Sequence, residues 1–184
     1  MEKRDKIIEA AIKVLTEKGM EKTKISDIAK EAGIGQGTFY LYFSTKLAVM
    51  PAIAEVMISK IEAGLQALTL KETMNEQLEQ IVDVFFSITR EDKETFTLIY
   101  AGLTQTQHVK EWENMYSSVY LWFEQFLNQH ISIQTIDVKH VAKMLVGLIE
   151  STAEQVYLFD ELGTENEESR KQSLMKFMAA GLQV

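Results

Sequence analysis

Apolar residues recur along this chain at the spacing of helices. In the first 46 residues they fall into three groups. Ile7, Ile8, Ala11, Ile12 and Leu15 make one stripe of a helix predicted over residues 3–18, with Gly19 as its stop. Ile25, Ile28, Ala29 and Ala32 stand at i, i+3, i+4 and i+7, the buried face of a second helix that Gly33 ends and for which Thr23 is the candidate N-cap. After Gly33-Ile34-Gly35, Phe39 and Phe43 are four apart, so a third short helix packs both rings against the second. Helix, glycine turn, helix is the order of a helix-turn-helix.

Ser44 or Thr45 is placed to cap a fourth helix over about 46–68, and Pro51 inside it predicts a kink near Leu47. Further helical stretches are expected over 71–89, 92–104, 107–130, 137–160 and 166–182. The breaks between them are short and polar, and no strand alternation or Asn-Gly hairpin turn occurs. The expected fold is all-α. A three-helix helix-turn-helix head over 1–46 precedes a helical bundle over 47–184.

The outer face of the third helix carries the chemistry. Gln36 can pair a donor and an acceptor with an adenine edge, Thr38 offers a methyl and a hydroxyl, and the hydroxyls of Tyr40 and Tyr42 can donate to phosphates. Gly35 and Gly37 leave bare backbone, which suits a helix pressed into a major groove about 12 Å wide. The alternative is that the glycines only make the turn and the tyrosines pack.

Composition narrows the picture. The 184 residues are 46% apolar, enough for a sizeable core, and the absence of cysteine removes disulfides, thiol catalysis and most structural zinc sites. No run is apolar and long enough to span a membrane, and the charged start Met-Glu-Lys-Arg-Asp-Lys lacks a signal peptide's apolar stretch, so a cytoplasmic protein is expected. Residues 1–46 hold nine Lys and Arg against seven Asp and Glu, a balance of +2, while the remainder carries −10. Only the head suits a polyanion. Lys3, Arg4 and Lys6 are equally well explained as a solvated end.

Enzyme chemistry finds no residues. The glycine cluster around Gly35 lacks the strand and lysine of a phosphate loop, His108, His130 and His140 have no metal-ligand spacing, and no Gly-x-Ser-x-Gly is present. No cofactor is expected.

In the bundle, the stretch 107–130 is apolar nearly all round, with Met115, Val119, Trp122 and Phe126 on one side and Tyr116, Tyr120, Phe123 and Leu127 on another. Phe85, Phe86, Phe96 and Tyr100 add to this aromatic density, which fits an ordinary core or a cavity for a mostly apolar ligand. Glu111, Glu113, Glu150 and Glu154 read as surface charges. The stretch 137–160 carries two apolar stripes, the second made of Met144, Gly147, Ser151 and Leu158, and the last helix adds Leu174, Phe177 and Met178. Two faces need two neighbours, so a homodimer through these helices is expected, with burial inside one subunit as the alternative. A twofold dimer also sets two reading helices about 34 Å apart, the repeat of successive major grooves.

The run Ile25-Ser26-Asp27-Ile28-Ala29, then Ala32-Gly33-Ile34, then Gly37-Thr38-Phe39-Tyr40-Leu41-Tyr42-Phe43 with Lys46 resembles the DNA-binding signature of the TetR family of bacterial transcriptional regulators. The resemblance covers about the first quarter of the chain. It implies that Gln36, Gly37, Thr38, Tyr40 and Tyr42 lie on a recognition helix, with Thr23 and Lys46 beside phosphates. It also implies an effector cavity in the bundle, for which the candidates are Phe85, Phe96, Tyr100, Tyr116, Tyr120, Phe123, Leu148 and Thr152. The expected function is a repressor released from a palindromic operator by a small, mostly apolar molecule. A helical protein-interaction module that does not bind DNA is the competing reading.

Overall fold

The computed structural model describes residues 2–103, 113–130, 136–160 and 166–182. Among them the chain forms α1 (Lys3–Lys18), α2 (Ile25–Glu31), α3 (Gln36–Tyr42), a 3₁₀ turn (Leu47–Val49), α4 (Met50–Gln66), α5 (Met74–Glu91), α6 (Lys93–Leu103), α7 (Ser117–His130), α8 (Val138–Glu154) and α9 (Glu167–Leu182). No strand occurs among these residues, so the expected all-α class holds.

The described residues divide into two compact units, one from 1–57 with 94–114 and the other from 58–93 with 115–184. The first unit takes in α6, which the pattern of apolar residues assigns to the bundle. In this unit α1 packs on α2 and α2 on α3. Ile7, Ala11 and Leu15 of α1, Ile28 and Ala29 of α2 and Phe39 of α3 are buried together at its centre. Gly19 (φ 78°) and Gly33 (φ 67°) take left-handed backbone at the two helix ends, where other residues would be strained. After α2, the N–H of Ile34 reaches the carbonyl of Ala29 at 2.9 Å and that of Gly33 reaches Lys30 at 3.1 Å, so the turn satisfies carbonyls that the helix leaves open.

Two local expectations change. The N-cap of α2 is Lys24, whose N–H donates to the Asp27 carboxylate at 3.0 Å, and Thr23 lies one residue too early. Pro51 falls in the first turn of α4, a position that tolerates proline, and where a kink near Leu47 is expected the chain forms a 3₁₀ turn that leads into the helix. Thr45 accepts the N–H of Ala48 at 3.1 Å at the start of that turn.

In the second unit α7 packs on α8, α5 packs on α8, and α9 packs on both α5 and α8. Thr73 and Glu76 form a reciprocal capping box, which starts α5 at Met74, three residues later than expected. The predicted stretch 137–160 is α-helical to Glu154 and then widens into a π-turn, Gln155–Phe159. The predicted start of the 107–130 stretch lies outside the described residues. Phe85 and Phe123 meet edge to face at 6.2 Å in the centre of this unit.

Candidate nucleic-acid interface

The third helix is set by two rings. Phe39 is fully buried and Phe43, just past the helix end, is nearly so; their centroids are 5.8 Å apart. With that side held inward, the remaining side chains turn out. Gln36, Tyr40, Leu41 and Tyr42 are exposed and Thr38 is half-buried. The expected hydrogen-bonding face is therefore on the surface, while the Tyr40 ring also packs edge to face on Phe39 at 5.9 Å.

Gly35 and Gly37 have ordinary negative-φ backbone, and a Cβ built on either meets nothing within 4 Å. Neither glycine is required by the turn or by the chain's own packing.

Thr23 takes a different place from the one expected, and Lys46, at the start of the 3₁₀ turn, has internal partners as well. Thr23 is buried, and its hydroxyl donates to the carbonyl of Gly19 at 2.8 Å. It braces the loop between α1 and α2 and offers no side-chain group to a phosphate. The half-buried Lys46 donates to the carbonyls of Met20 and, at 2.7 Å, Thr23, so it clips the same loop. Two of its three N–H donors are thus occupied.

Many cations of the head are internally paired: Lys13 with Glu31 at 2.5 Å, Lys18 with Asp27 at 3.1 Å, Arg4 with Glu55 at 3.1 Å. Arg4 also lies over the Phe43 ring at 5.9 Å, which makes it a brace for the end of α3. The backbone N–H of Lys24 and the ammonium of Lys18 hold the Asp27 carboxyl below the usual carboxylate range. Lys3, Lys6, Lys22, Lys24 and Lys30 are exposed and enter no ion pair among the described residues, so they are the unpaired positive charges the head presents to solvent.

The family model described as bacterial regulatory proteins, tetR family, matches residues 7–53, and that of the tetracyclin repressor-like C-terminal domain matches residues 78–182. The chain belongs to the TetR family. The HTH-type transcriptional regulator YvdT of Bacillus subtilis strain 168 is 38% identical over 188 residues, covering 98% of this chain and 95% of YvdT. The fatty acid metabolism regulator protein of the same strain is 28% identical over 156 residues, 79% of each chain. Among solved structures, GusR of Salmonella enterica aligns with a TM-score of 0.75 at 20% identity, over 99% of this chain and 96% of that one. FadR of Bacillus halodurans, a fatty acid degradation regulator, aligns at 0.63 and 23% identity, over 93% and 97%. Both share the fold. As a TetR-family HTH regulator the chain acts on DNA in transcription, and the reading without DNA binding is not favoured.

In TetR-family regulators a small-molecule effector is the second partner, and the residues expected to hold it here are dispersed. Phe96 and Tyr100 belong to the first unit, where Phe96 is buried and Tyr100 is exposed. In the second unit, Phe85 and Phe123 are core. Tyr116 and Tyr120 stack at 5.8 Å, and the Tyr116 hydroxyl donates to the Glu150 carboxylate. The Thr152 hydroxyl bonds back to the Leu148 carbonyl at 2.7 Å. Leu148 itself lines a groove between α8 and α9 with the residues expected at the dimer face.

Glu150 and Glu154 are not the surface charges their type suggested. Glu154 is buried, and burial pushes the Glu150 carboxyl up to about 7, against the pull of the Tyr116 hydroxyl and with the help of Glu154. Glu113 is exposed as expected, and Glu111 lies outside the described residues.

The groove between α8 and α9 has a volume of ≈ 490 Å³, and its walls are mostly apolar. Met144 and Phe177 are each 67% exposed on it, and Gly147 and Ser151 are exposed beside them. Leu174 and Met178 are buried within their own subunit, so those two positions pack the bundle. Leu158 is half-buried on the π-turn and is not among the groove's lining residues.

Proposed function

We propose that this TetR-family regulator is a homodimeric repressor whose α3 enters the major groove of a palindromic operator and which a small, mostly apolar effector releases. The supporting observation is the division of α3, with Phe39 wholly buried and Gln36, Tyr40 and Tyr42 turned to solvent. Gln36 and Thr38 read base edges, Tyr40 and Tyr42 donate to phosphates, and Gly37 allows close approach. Lys46 contributes its third N–H to a phosphate while clipping the loop behind it.

The dimer forms through the exposed strip of α8 and α9. Two 67% exposed apolar side chains, Met144 and Phe177, flank a groove, and a Cβ at Gly147 or Gly181 would meet nothing within 4 Å. Their small size therefore serves a neighbour outside the chain, and two copies pairing α8 and α9 make a four-helix interface.

The effector binds in the bundle with its polar end at the Tyr116–Glu150 pair and its apolar part against Tyr120, parting the packed rings of Phe85 and Phe123 to make room. Carboxylates at Glu150 and Glu154 disfavour an anion there, so a neutral or cationic molecule fits. A relative named as a fatty acid metabolism regulator makes uncharged long-chain derivatives of fatty acids, such as esters or amides, the first to try. Release follows only to the extent that the effector binds one body conformation better than the other, with α4 as the covalent link between reader and bundle.

A mobility-shift assay on the DNA upstream of the chain's own coding sequence tests the reading. A band shift that weakens with salt and disappears in Tyr40→Ala is expected. Unaltered mobility of that DNA at low salt would defeat it.

A further inference from the structure

Leu41 is the most exposed large apolar side chain among the described residues, at 82%. Its position on α3 is specific. At 3.6 residues per turn it lies two residues past the wholly buried Phe39, about 200° round the axis, and so on the side away from the protein. Gly37 stands one turn earlier on that same outermost line. The crest of the helix is thus bare backbone followed by a branched alkyl group, with the hydroxyls of Tyr40 and Tyr42 on its flanks.

Nothing inside the chain explains this crest. A Cβ at Gly37 has open space around it, and the Leu41 side chain adds little to the chain's own packing. A single exposed leucine elsewhere would need no explanation. Here it occupies the point of α3 that reaches deepest if the helix enters a groove. The base edges of the major groove are polar except for one feature, the C5 methyl of thymine, which alkyl side chains contact.

We propose that Leu41 reads thymine, packing its two terminal methyls against the C5 methyl of a dT on the floor of the major groove in each half-site. The inference rests on α3 being the DNA-contacting helix and goes beyond it by assigning a base. Apolar contact supplies no hydrogen bond, so the discrimination is modest, about four-fold per half-site for one buried methyl group. It is directed at the methyl alone.

The test begins with a duplex selected from a random-sequence pool by the intact chain. That duplex is then made with thymidine throughout, or with deoxyuridine in its place, which removes the methyl and leaves base pairing unchanged. The wild-type chain is expected to bind the uracil duplex at least about four-fold more weakly. Leu41→Ala should bind the thymine duplex about as weakly as the wild type binds uracil, and should lose little more on uracil. Leu41→Met, which keeps an alkyl tip, should retain part of the preference. Equal losses on uracil for wild type and Leu41→Ala would overturn the assignment while leaving DNA recognition intact, as would no loss for the wild type. Failure to enrich any duplex would defeat the reading of α3 itself, and with it this inference. Circular dichroism of the variants separates lost contact from lost fold.

Discussion

The hydroxyl of Tyr116 donates to the carboxylate of Glu150, tying the residue that precedes α7 to the C-terminal part of α8. Burial, first of all, raises the Glu150 carboxyl from 4.5 to about 7. The folded chain therefore holds a proton at this site that the unfolded chain has already released. Stability from the site is complete below about pH 4.5 and is lost as the pH rises through about 7. Glu150→Gln keeps an acceptor for Tyr116 without the charge. Melting curves at pH 5.5 and pH 8 should show the variant gaining stability over the wild type at pH 8, by a few kcal/mol at most, with a much smaller gain at pH 5.5. The same gain at both values would show that the carboxyl is not the titrating group.

Gly37→Ala separates stability from recognition. The new Cβ meets nothing within 4 Å, and alanine is the better helix former by about 0.5–1 kcal/mol. Denaturant unfolding should show a more stable head. Operator affinity should nevertheless fall, because the added methyl stands between α3 and the groove. Tighter binding would count against close approach at this position.

Removing the Lys46 side chain leaves the carbonyls of Met20 and Thr23 without their ammonium donor. Lys46→Met, which preserves the alkyl stem, is expected to destabilise the chain by roughly 1–3 kcal/mol in chemical denaturation, the range for leaving a buried acceptor unsatisfied. Weaker DNA binding should accompany the loss. A variant of unchanged stability would show that the clip is incidental.

Phe177→Asp and Met144→Asp each put a carboxylate on the exposed groove of α8 and α9. Sedimentation should find the wild-type chain as a dimer and both variants as folded monomers, with operator affinity reduced at least tenfold as paired half-site binding is lost. A wild-type monomer would remove the proposed interface.

What is legible in the amino-acid sequence is what local chemistry dictates. Gly19 and Gly33 announce left-handed helix ends, and the four-residue spacing of Phe39 and Phe43 announces which side of α3 is held inward. Thr23 misleads because its residue type fits a cap, while its hydroxyl finds a carbonyl of the preceding turn; only the folded loop decides between the two. Glu150 and Glu154 mislead for the opposite reason. Carboxylates are nearly always exposed, and their burial depends on which helix lies opposite, a matter that periodicity within α8 does not specify. The outward place of Leu41 follows from the spacing once Phe39 is fixed as the buried side of α3.

At seven residues, α3 is too short to persist as a helix in water by itself. Its shape is borrowed from the rings of Phe39 and Phe43 and from the neighbours that seat them. The reading helix is thus formed before any duplex arrives, and binding needs no separate folding step for α3. By the same dependence, a change at Phe39, a residue no nucleotide touches, would blunt target choice as surely as a change in the groove.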